Sequence, residues 1–414
     1  MAFSYRYGAL CAEAVPLEAI ASRFGTPCYV YSRAAIERGY RAYADALAGR
    51  DALICYSVKA NSNLAVLALM ARLGAGFDIV SGGELARVLA AGGDPRKVVF
   101  SGIGKSEAEI EQALRARILC LNLESEEELA RVAAVAARVG SRAPIAFRVN
   151  PDVDAKTHPY ISTGLKTSKF GVPYGEAERL YRHALRLPQV EIVGIGCHIG
   201  SQMRGPAPLA AATRRIAALA SRLARAGVAL RHIDLGGGIG IRYRNERVAP
   251  IARFAAGCLK ALAGRSETLI LDPGRSIVGS AGVLLTRVEY VKRNGAKKFL
   301  VVDAAMNDLL RPALYDAWHD IVPVRKGRAR PHVYDVVGPV CESADFLGKR
   351  RKLAAGRGDL LAVLSAGAYG MVLSSNYNSR PRAAEVLADG DRAHLVRRRE
   401  RADELYAAEE VPAL

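Results

Sequence analysis

Apolar residues in this chain fall into short runs, and the segments between the runs carry apolar positions at helical spacing. Eight runs read as buried strands: Leu53–Tyr56, Phe77–Val80, Val98–Ser101, Ile118–Leu123, Ile145–Val149, Glu191–His198, Ile233–Leu235 and Leu269–Leu271. The intervening helices announce their starts. Ser106-Glu107-Ala108-Glu109 and Ser125-Glu126-Glu127-Glu128 both have the form of a capping box. One helix is predicted from Ser32 to Leu47, before the first of these strands, and another from Leu209 to Ala226, closed by Gly227. Strands alternating with helices over about 230 residues fit a (β/α)8 barrel. A doubly wound sheet would place a Gly-x-Gly-x-x-Gly turn straight after its first strand, where this chain has Ser57-Val58-Lys59.

Beyond Gly282 the pattern changes. Val283–Val291, Phe299–Asp303, Val333–Val337 and Leu360–Leu364 read as strands, and helical spacing thins out. This predicts a second, β-rich domain that recruits an N-terminal strand around Cys28–Tyr31. The expected organisation is an α/β barrel over 32–281 and a discontinuous β-rich domain, sandwich- or barrel-like, made of 1–31 and 282–414.

Composition adds limits. A chain of 414 residues, half of them hydrophobic, has enough material for two cores. No apolar run approaches the roughly 18 residues of a membrane span, and the first ten residues lack the apolar segment of a signal peptide, so a cytoplasmic protein is expected. The seven cysteines form no C-x-x-C pair, which argues against a zinc ribbon or a disulfide framework. Six of them sit in or beside apolar segments; Cys341, in Gly338-Pro339-Val340-Cys341-Glu342-Ser343, lies in turn-like surroundings. The formal charge of +18 raises the question of nucleic acid. Its arginines, however, are scattered over helices with no aromatic-interleaved stripe, so the positive field better suits an acidic small molecule.

The residues that suggest chemistry gather at strand ends: Lys59, Arg148, His198, Gly236 and Asp272. In a barrel those ends surround one mouth. A lysine there suits the nucleophilic amine that holds an aldehyde cofactor as a Schiff base, provided desolvation frees it. Alone it reads more simply as a snorkelling surface lysine. The run Gly236-Gly237-Gly238 lets backbone N–H groups close on a phosphate, although a structural turn explains such a run equally well. Asp272-Pro273-Gly274-Arg275 offers a carboxylate to a pyridinium nitrogen; a surface β-turn is the plain alternative. His198 could lie flat on an aromatic ring, with Ser201 donating to a phosphate. No second histidine stands at metal spacing, so no metal is expected. Together these elements describe a pocket for a phosphorylated pyridine aldehyde.

Over nearly its whole length the chain resembles the diaminopimelate decarboxylases, within the alanine-racemase-like (fold-type III) class of pyridoxal-phosphate enzymes. The likeness rests on Tyr56-Ser57-Val58-Lys59-Ala60-Asn61, on Phe77-Asp78-Ile79-Val80-Ser81-Gly82-Gly83-Glu84, on Gly164-Leu165-Lys166-Thr167-Ser168-Lys169-Phe170-Gly171 and on His198-Ile199-Gly200-Ser201-Gln202. Ornithine and arginine decarboxylases share these with variations. Met306-Asn307-Asp308-Leu309-Leu310-Arg311-Pro312-Ala313-Leu314-Tyr315, Cys341-Glu342-Ser343 and Gly367-Ala368-Tyr369-Gly370 resemble the diaminopimelate branch more specifically.

The resemblance implies decarboxylation of meso-2,6-diaminopimelate to L-lysine and carbon dioxide, with pyridoxal 5'-phosphate as cofactor. It implies Lys59 as the Schiff-base lysine, His198 stacked on the ring, and Ser201, Gly237, Gly238 and the turn through Gly274 and Arg275 on the phosphate. Asp272 would face the ring nitrogen, and Asp78 and Arg148 would contact the cofactor. Arg275, Arg311 and Tyr315 would bind the substrate's far end, Glu342 its distal ammonium, and Tyr369 both cofactor and substrate. Cys341 would return the proton after carbon dioxide leaves, from a segment that enters a partner subunit's pocket, hence a homodimer. One departure stands out: the family usually has glutamate where this chain has Asp272, one methylene shorter. A decarboxylase of the same fold acting on ornithine, arginine or a carboxylated polyamine such as carboxynorspermidine is the nearest alternative. A non-catalytic pyridoxal-phosphate-binding regulatory homologue is the alternative of a different class. The first is separated by the amino acid that releases carbon dioxide. The second should have lost Cys341 or the Arg311–Tyr315 segment, and both are present.

Overall fold

The computed structural model describes residues 2–154, 169–327 and 329–413. The Gly164–Gly171 motif therefore lies outside the described residues as far as Ser168. The chain forms two compact units: one of Gly39–Ile241 with Arg247–Ser276, the other of Met1–Arg38, Arg242–Glu246 and Ile277–Leu414.

The first unit is the barrel. Its strands are β1 Ala52–Ser57, β2 Gly76–Ile79, β3 Val98–Phe100, β4 Cys120–Leu123, β5 Ala143–Asn150, β6 Val190–Gly196, β7 His232–Asp234 and β8 Thr268–Leu271. Each pairs in parallel with the next. The ring closes where β8 meets β1, with Leu269, Ile270 and Leu271 opposite Ala52, Leu53 and Ile54. A closed ring leaves no unpaired edge, and both faces of each strand are covered. This is why the strands appear in sequence as short apolar runs rather than as alternations. Phe77, Phe100 and Phe147 are fully buried.

The helices begin where their caps place them. Ser106 forms the reciprocal capping box with Glu109. Ser125 does only half of this. Its hydroxyl accepts from the Glu128 N–H, but the Glu128 carboxylate turns elsewhere, accepting from Glu124 N at 2.7 Å and from Lys105 Nζ at 3.0 Å. The expected second capping box is thus corrected: a buried ammonium competes for the carboxylate and wins. Lys105 also donates to the Gly102 and Asn122 carbonyls, so its charge is fully partnered inside the unit. The long helix Ala207–Arg225 ends at Ala226, and Gly227 follows with φ 84°.

The second unit is β-rich. Cys28–Ser32 runs antiparallel to Gly282–Asn294 and parallel to Ala384–Asp389, so the N-terminal strand sits inside this sheet. Leu17, Ile20, Val30, Val283, Leu285 and Val386 share its core. Strands at Phe346–Leu353, Ala384–Asp389 and Arg392–Arg397 were not evident in the hydrophobic pattern. In the first of these, Lys349-Arg350-Arg351-Lys352 interrupts the apolar positions, Arg350 takes a φ of 54°, and the pairing register shifts. A bulge with four cations has no period-two signature.

The Lys105–Glu128 pair is nearly sealed, with side-chain exposures of 1% and 7%. Replacing Lys105 by Met leaves Glu128 buried and unpaired. This is expected to destabilise the protein by about 3–5 kcal/mol, read as a lowered midpoint of urea unfolding; an unchanged midpoint would show that solvent already reaches the carboxylate.

Candidate active site

The C-terminal ends of the barrel strands hold most of the residues singled out from the sequence. After β1 the chain enters a short turn of 3-10 helix, Val58–Ala60, which carries Lys59. Its Nζ lies 2.8 Å from Asp78 Oδ2, on the end of β2. Ser57 Oγ donates to the same oxygen at 3.0 Å. The sequence predicts a desolvated amine at this position. The structure shows an ion-paired one, its side chain 36% exposed, against a carboxylate only 1% exposed. Burial by itself would raise the Asp78 carboxyl, but the Lys59 ammonium overrides it and holds the group below the usual carboxylate range.

Asp272 follows β8 and is buried. Burial first, and then the Asp78 charge, hold its carboxyl well above the usual range, with Lys59 and Arg148 acting in the opposite direction. Its Oδ1 has no hydrogen-bond partner among the described residues. An orphaned buried carboxylate oxygen beside an amine is an open position for a bound N–H. The turn after Asp272 is fixed to the Lys59 strand, because Ser57 N donates to Pro273 O at 3.1 Å. A Cβ on Gly274 would lie 2.8 Å from the Ala60 side chain, so only glycine lets the two strand ends meet this closely.

Three loops close the floor of the mouth. A side chain at Gly237 would meet Asp272 O at 2.3 Å, and one at Gly238 would meet Gly200 O at 2.0 Å. The glycine run is thus a close approach of backbone to backbone, a form that also presents N–H groups to an anion. Ser201 stands at its rim, and its Oγ accepts from Arg275 Nη2 at 3.1 Å. His198 Nδ1 accepts from the Gly237 N–H at 3.4 Å and lies 3.7 Å from Asp272 Oδ1. Burial, with the Arg148 and Lys59 cations adding to it, pushes the imidazole down to about 3. The ring is therefore neutral and flat-faced at physiological pH.

Arg148, on β5, pairs with Glu124 at 3.3 Å. Glu124 does not stand out in the sequence, although it follows β4 directly and occupies the same kind of strand-end position as Lys59 and Asp272. Its other oxygen accepts from Gly171 N at 2.6 Å.

The β-rich unit carries the remaining residues. Arg311 is buried on the short helix Arg311–Tyr315, its Nη1 2.9 Å from His319 Nε2. His319 Nδ1 lies 2.8 Å from the Leu364 carbonyl, which fixes that nitrogen as the donor and Nε2 as the acceptor. The guanidinium also lies over the Tyr243 ring, 4.6 Å from its centroid. His319 and Tyr243 thus aim Arg311, and neither was evident from the sequence. Tyr315 is half-buried four residues along the same helix. Tyr369 is held at φ 54° in a tight turn. Cys341 is exposed while the other six cysteines are buried, as expected, and its N–H donates to Asn378 Oδ1 at 2.8 Å. Glu342 beside it is exposed.

Comparison with known proteins converges with this geometry. Residues 33–279 match the family model described as the pyridoxal-binding domain of pyridoxal-dependent decarboxylases. A curated diaminopimelate decarboxylase of Pseudomonas aeruginosa is 60% identical over 407 residues, covering 98% of both chains. One of Vibrio cholerae is 54% identical, covering 99% of both. The solved structure of a Helicobacter pylori diaminopimelate decarboxylase complexed with L-lysine superposes with a TM-score of 0.92 at 44% identity, covering 95% of this chain and 99% of that one.

The depressed basicity of His198 has a direct readout. Its ring should stay neutral from about pH 8 to about pH 4, where an ordinary imidazole titrates near 6.5. Histidine ring NMR signals, assigned with His198→Gln, should show one resonance that does not move through this range. A midpoint near 6.5 would mean that water reaches the ring.

Proposed function

Because this chain belongs to the diaminopimelate decarboxylase family of pyridoxal-dependent decarboxylases, we propose that it converts meso-2,6-diaminopimelate to L-lysine and carbon dioxide, the last step of lysine biosynthesis. The observation that carries the reading within the structure is the orphaned Asp272 Oδ1, set beside Lys59 and over the glycine turn.

These residues fit pyridoxal 5'-phosphate. Lys59 would hold it through Nζ, the Gly237 and Gly238 amides with Ser201, Gly274 and Arg275 would take its phosphate, and Tyr369 would contact it. His198 would cover one ring face, and Asp78 and Arg148 would set the charge around it. When bound, the cofactor supplies a protonated ring that accepts the electron pair left as carbon dioxide departs. Asp272 would hold a proton at the ring nitrogen, because a desolvated carboxylate with a free oxygen is a strong acceptor. Asp is one methylene shorter than the family's usual glutamate but keeps the same charge. The neutral His198 adds no positive charge that would compete with that proton.

Recognition follows charge. The substrate's far end carries one carboxylate and one ammonium. Arg311, held by His319, together with Arg275 and Tyr315 suits the carboxylate, and Glu342 suits the ammonium. Ornithine and lysine leave both arginines without a carboxylate, which is a strong basis for rejection. Cys341 Sγ, exposed on its segment, would deliver the proton that replaces the carboxylate. In a homodimer that segment would serve the partner subunit. No described helix is long and apolar enough to cross a membrane.

The deciding experiment is carbon dioxide release from a panel of diaminopimelate, ornithine, arginine and carboxynorspermidine, with and without added pyridoxal phosphate. Release from diaminopimelate alone, dependent on the cofactor and abolished in Lys59→Ala, is expected; faster release from another substrate would overturn the assignment. Arg311→Ala should raise KM for diaminopimelate by roughly a hundredfold or more with little change in cofactor absorbance. Equal loss of both would make Arg311 structural. Cys341→Ala should lower kcat by about 10²–10⁴-fold while the bound-cofactor spectrum is retained, and an unchanged kcat would remove it as the proton donor.

A further inference from the structure

Within the β-rich unit, a cleft of about 450 Å³ lies between the helix Arg311–Tyr315 and the strand Phe346–Leu353. None of its lining residues is one assigned to the cofactor or the substrate. Three cations line it, Arg244, Lys349 and Arg351, against one lining carboxylate, Asp316. Among the described residues none of the three is ion-paired.

Arg351 is the informative one. It is only 6% exposed, and its Nε and Nη1 are buried with no hydrogen-bond partner. Its guanidinium lies over the Trp318 ring, 3.2 Å from the centroid, and Arg244 lies over the same ring at 4.2 Å. One indole thus gathers two like charges. Gly348 makes room for this, since a Cβ there would fall 2.4 Å from Arg351 Nε. The nearby carboxylate Asp320 accepts from Trp318 Nε1 at 2.7 Å rather than from the guanidinium. Burial, only partly offset by Asp320 and reinforced by Arg244, pushes Arg351 down to about 10. A guanidinium has no acceptor capacity and five donors to place, so burying it without an oxygen partner is unfavourable. The remaining walls, including Phe346, Leu347 and Ala313, are apolar. A few convergent donors in an otherwise apolar recess of this size is the form of a small-molecule site.

We propose that this cleft binds a small oxyanion, the carboxylate or phosphate group of a metabolite, through Arg351, Arg244 and Lys349. Pro312 and Ala313, which line it, belong to the helix that carries Arg311 and Tyr315, so an occupied cleft braces that helix from a second side.

Trp318 is the only tryptophan in the chain, so its fluorescence reports this cleft in the holoenzyme without reference to turnover. Titration with inorganic phosphate and, separately, with glutarate should give a saturable change that sodium chloride at matched ionic strength does not. Saturation by phosphate alone identifies a phosphoryl ligand, and saturation by glutarate alone a carboxylate. The surface variant Arg244→Ser should weaken the apparent Kd by about tenfold, and Arg351→Met should abolish the response. Should Arg351→Met fail to fold, the double variant Arg244→Ser/Lys349→Ser decides instead. The proposal is overturned if neither anion saturates, if chloride reproduces the change, or if the double variant responds like the parent protein.

Discussion

The pairing of the last barrel strand with the first is the constraint on which the rest depends. Parallel strands slant their hydrogen bonds and leave an open edge unless the sheet closes. Here Leu269–Leu271 close on Ala52–Ile54, more than 200 residues away in sequence by the numbering of the paired residues. That closure brings the end of β1, with Lys59, against the turn that follows β8, with Asp272. The bond from Ser57 N to Pro273 O and the side-chain-free position at Gly274 hold the two ends at backbone contact.

Closure also concentrates charge. Asp78, Asp234 and Asp272 are all buried within one ring of strands. Asp234, like Asp272, is held well above the usual carboxylate range, by burial first and by Asp272 second. Asp78 escapes because it has Lys59. Carboxylates this close cannot all ionise unless cations intervene, so each one's state depends on which cation reaches it. Lys59 and Arg148 therefore set which acid is charged: Lys59 lowers Asp78, and both act to lower Asp272. The neutral His198 belongs to the same arrangement, because Lys59 and Arg148, the cations that act to lower Asp272, also disfavour an imidazolium.

The β-rich unit solves a different problem, that of aiming arginines. Arg311 is oriented by a histidine whose tautomer is set by the Leu364 carbonyl, and a tyrosine ring backs it. Arg351 is oriented by stacking alone and has no oxygen partner among the described residues. One buried guanidinium thus has a hydrogen-bond acceptor at its Nη1, whereas the other has two buried nitrogens with no partner among the described residues.

Much of this was legible in the chain itself. The eight barrel strands coincide with eight apolar runs, because burial on both faces leaves a local record in composition. Lys59, His198, Asp272 and the glycine run stood out because strand ends must face one mouth in a barrel. The Ser106 box was legible because a cap is a contact over three residues. What tertiary structure alone decided were partnerships across distance: Asp78 with Lys59, Glu124 with Arg148, Lys105 drawing Glu128 out of its box, and His319 holding Arg311. Periodicity reports how buried a position is, and not which distant group meets it there. That choice is made when the ring closes and, in the other unit, when a bulged, cation-rich strand with no readable period takes its place in the sheet.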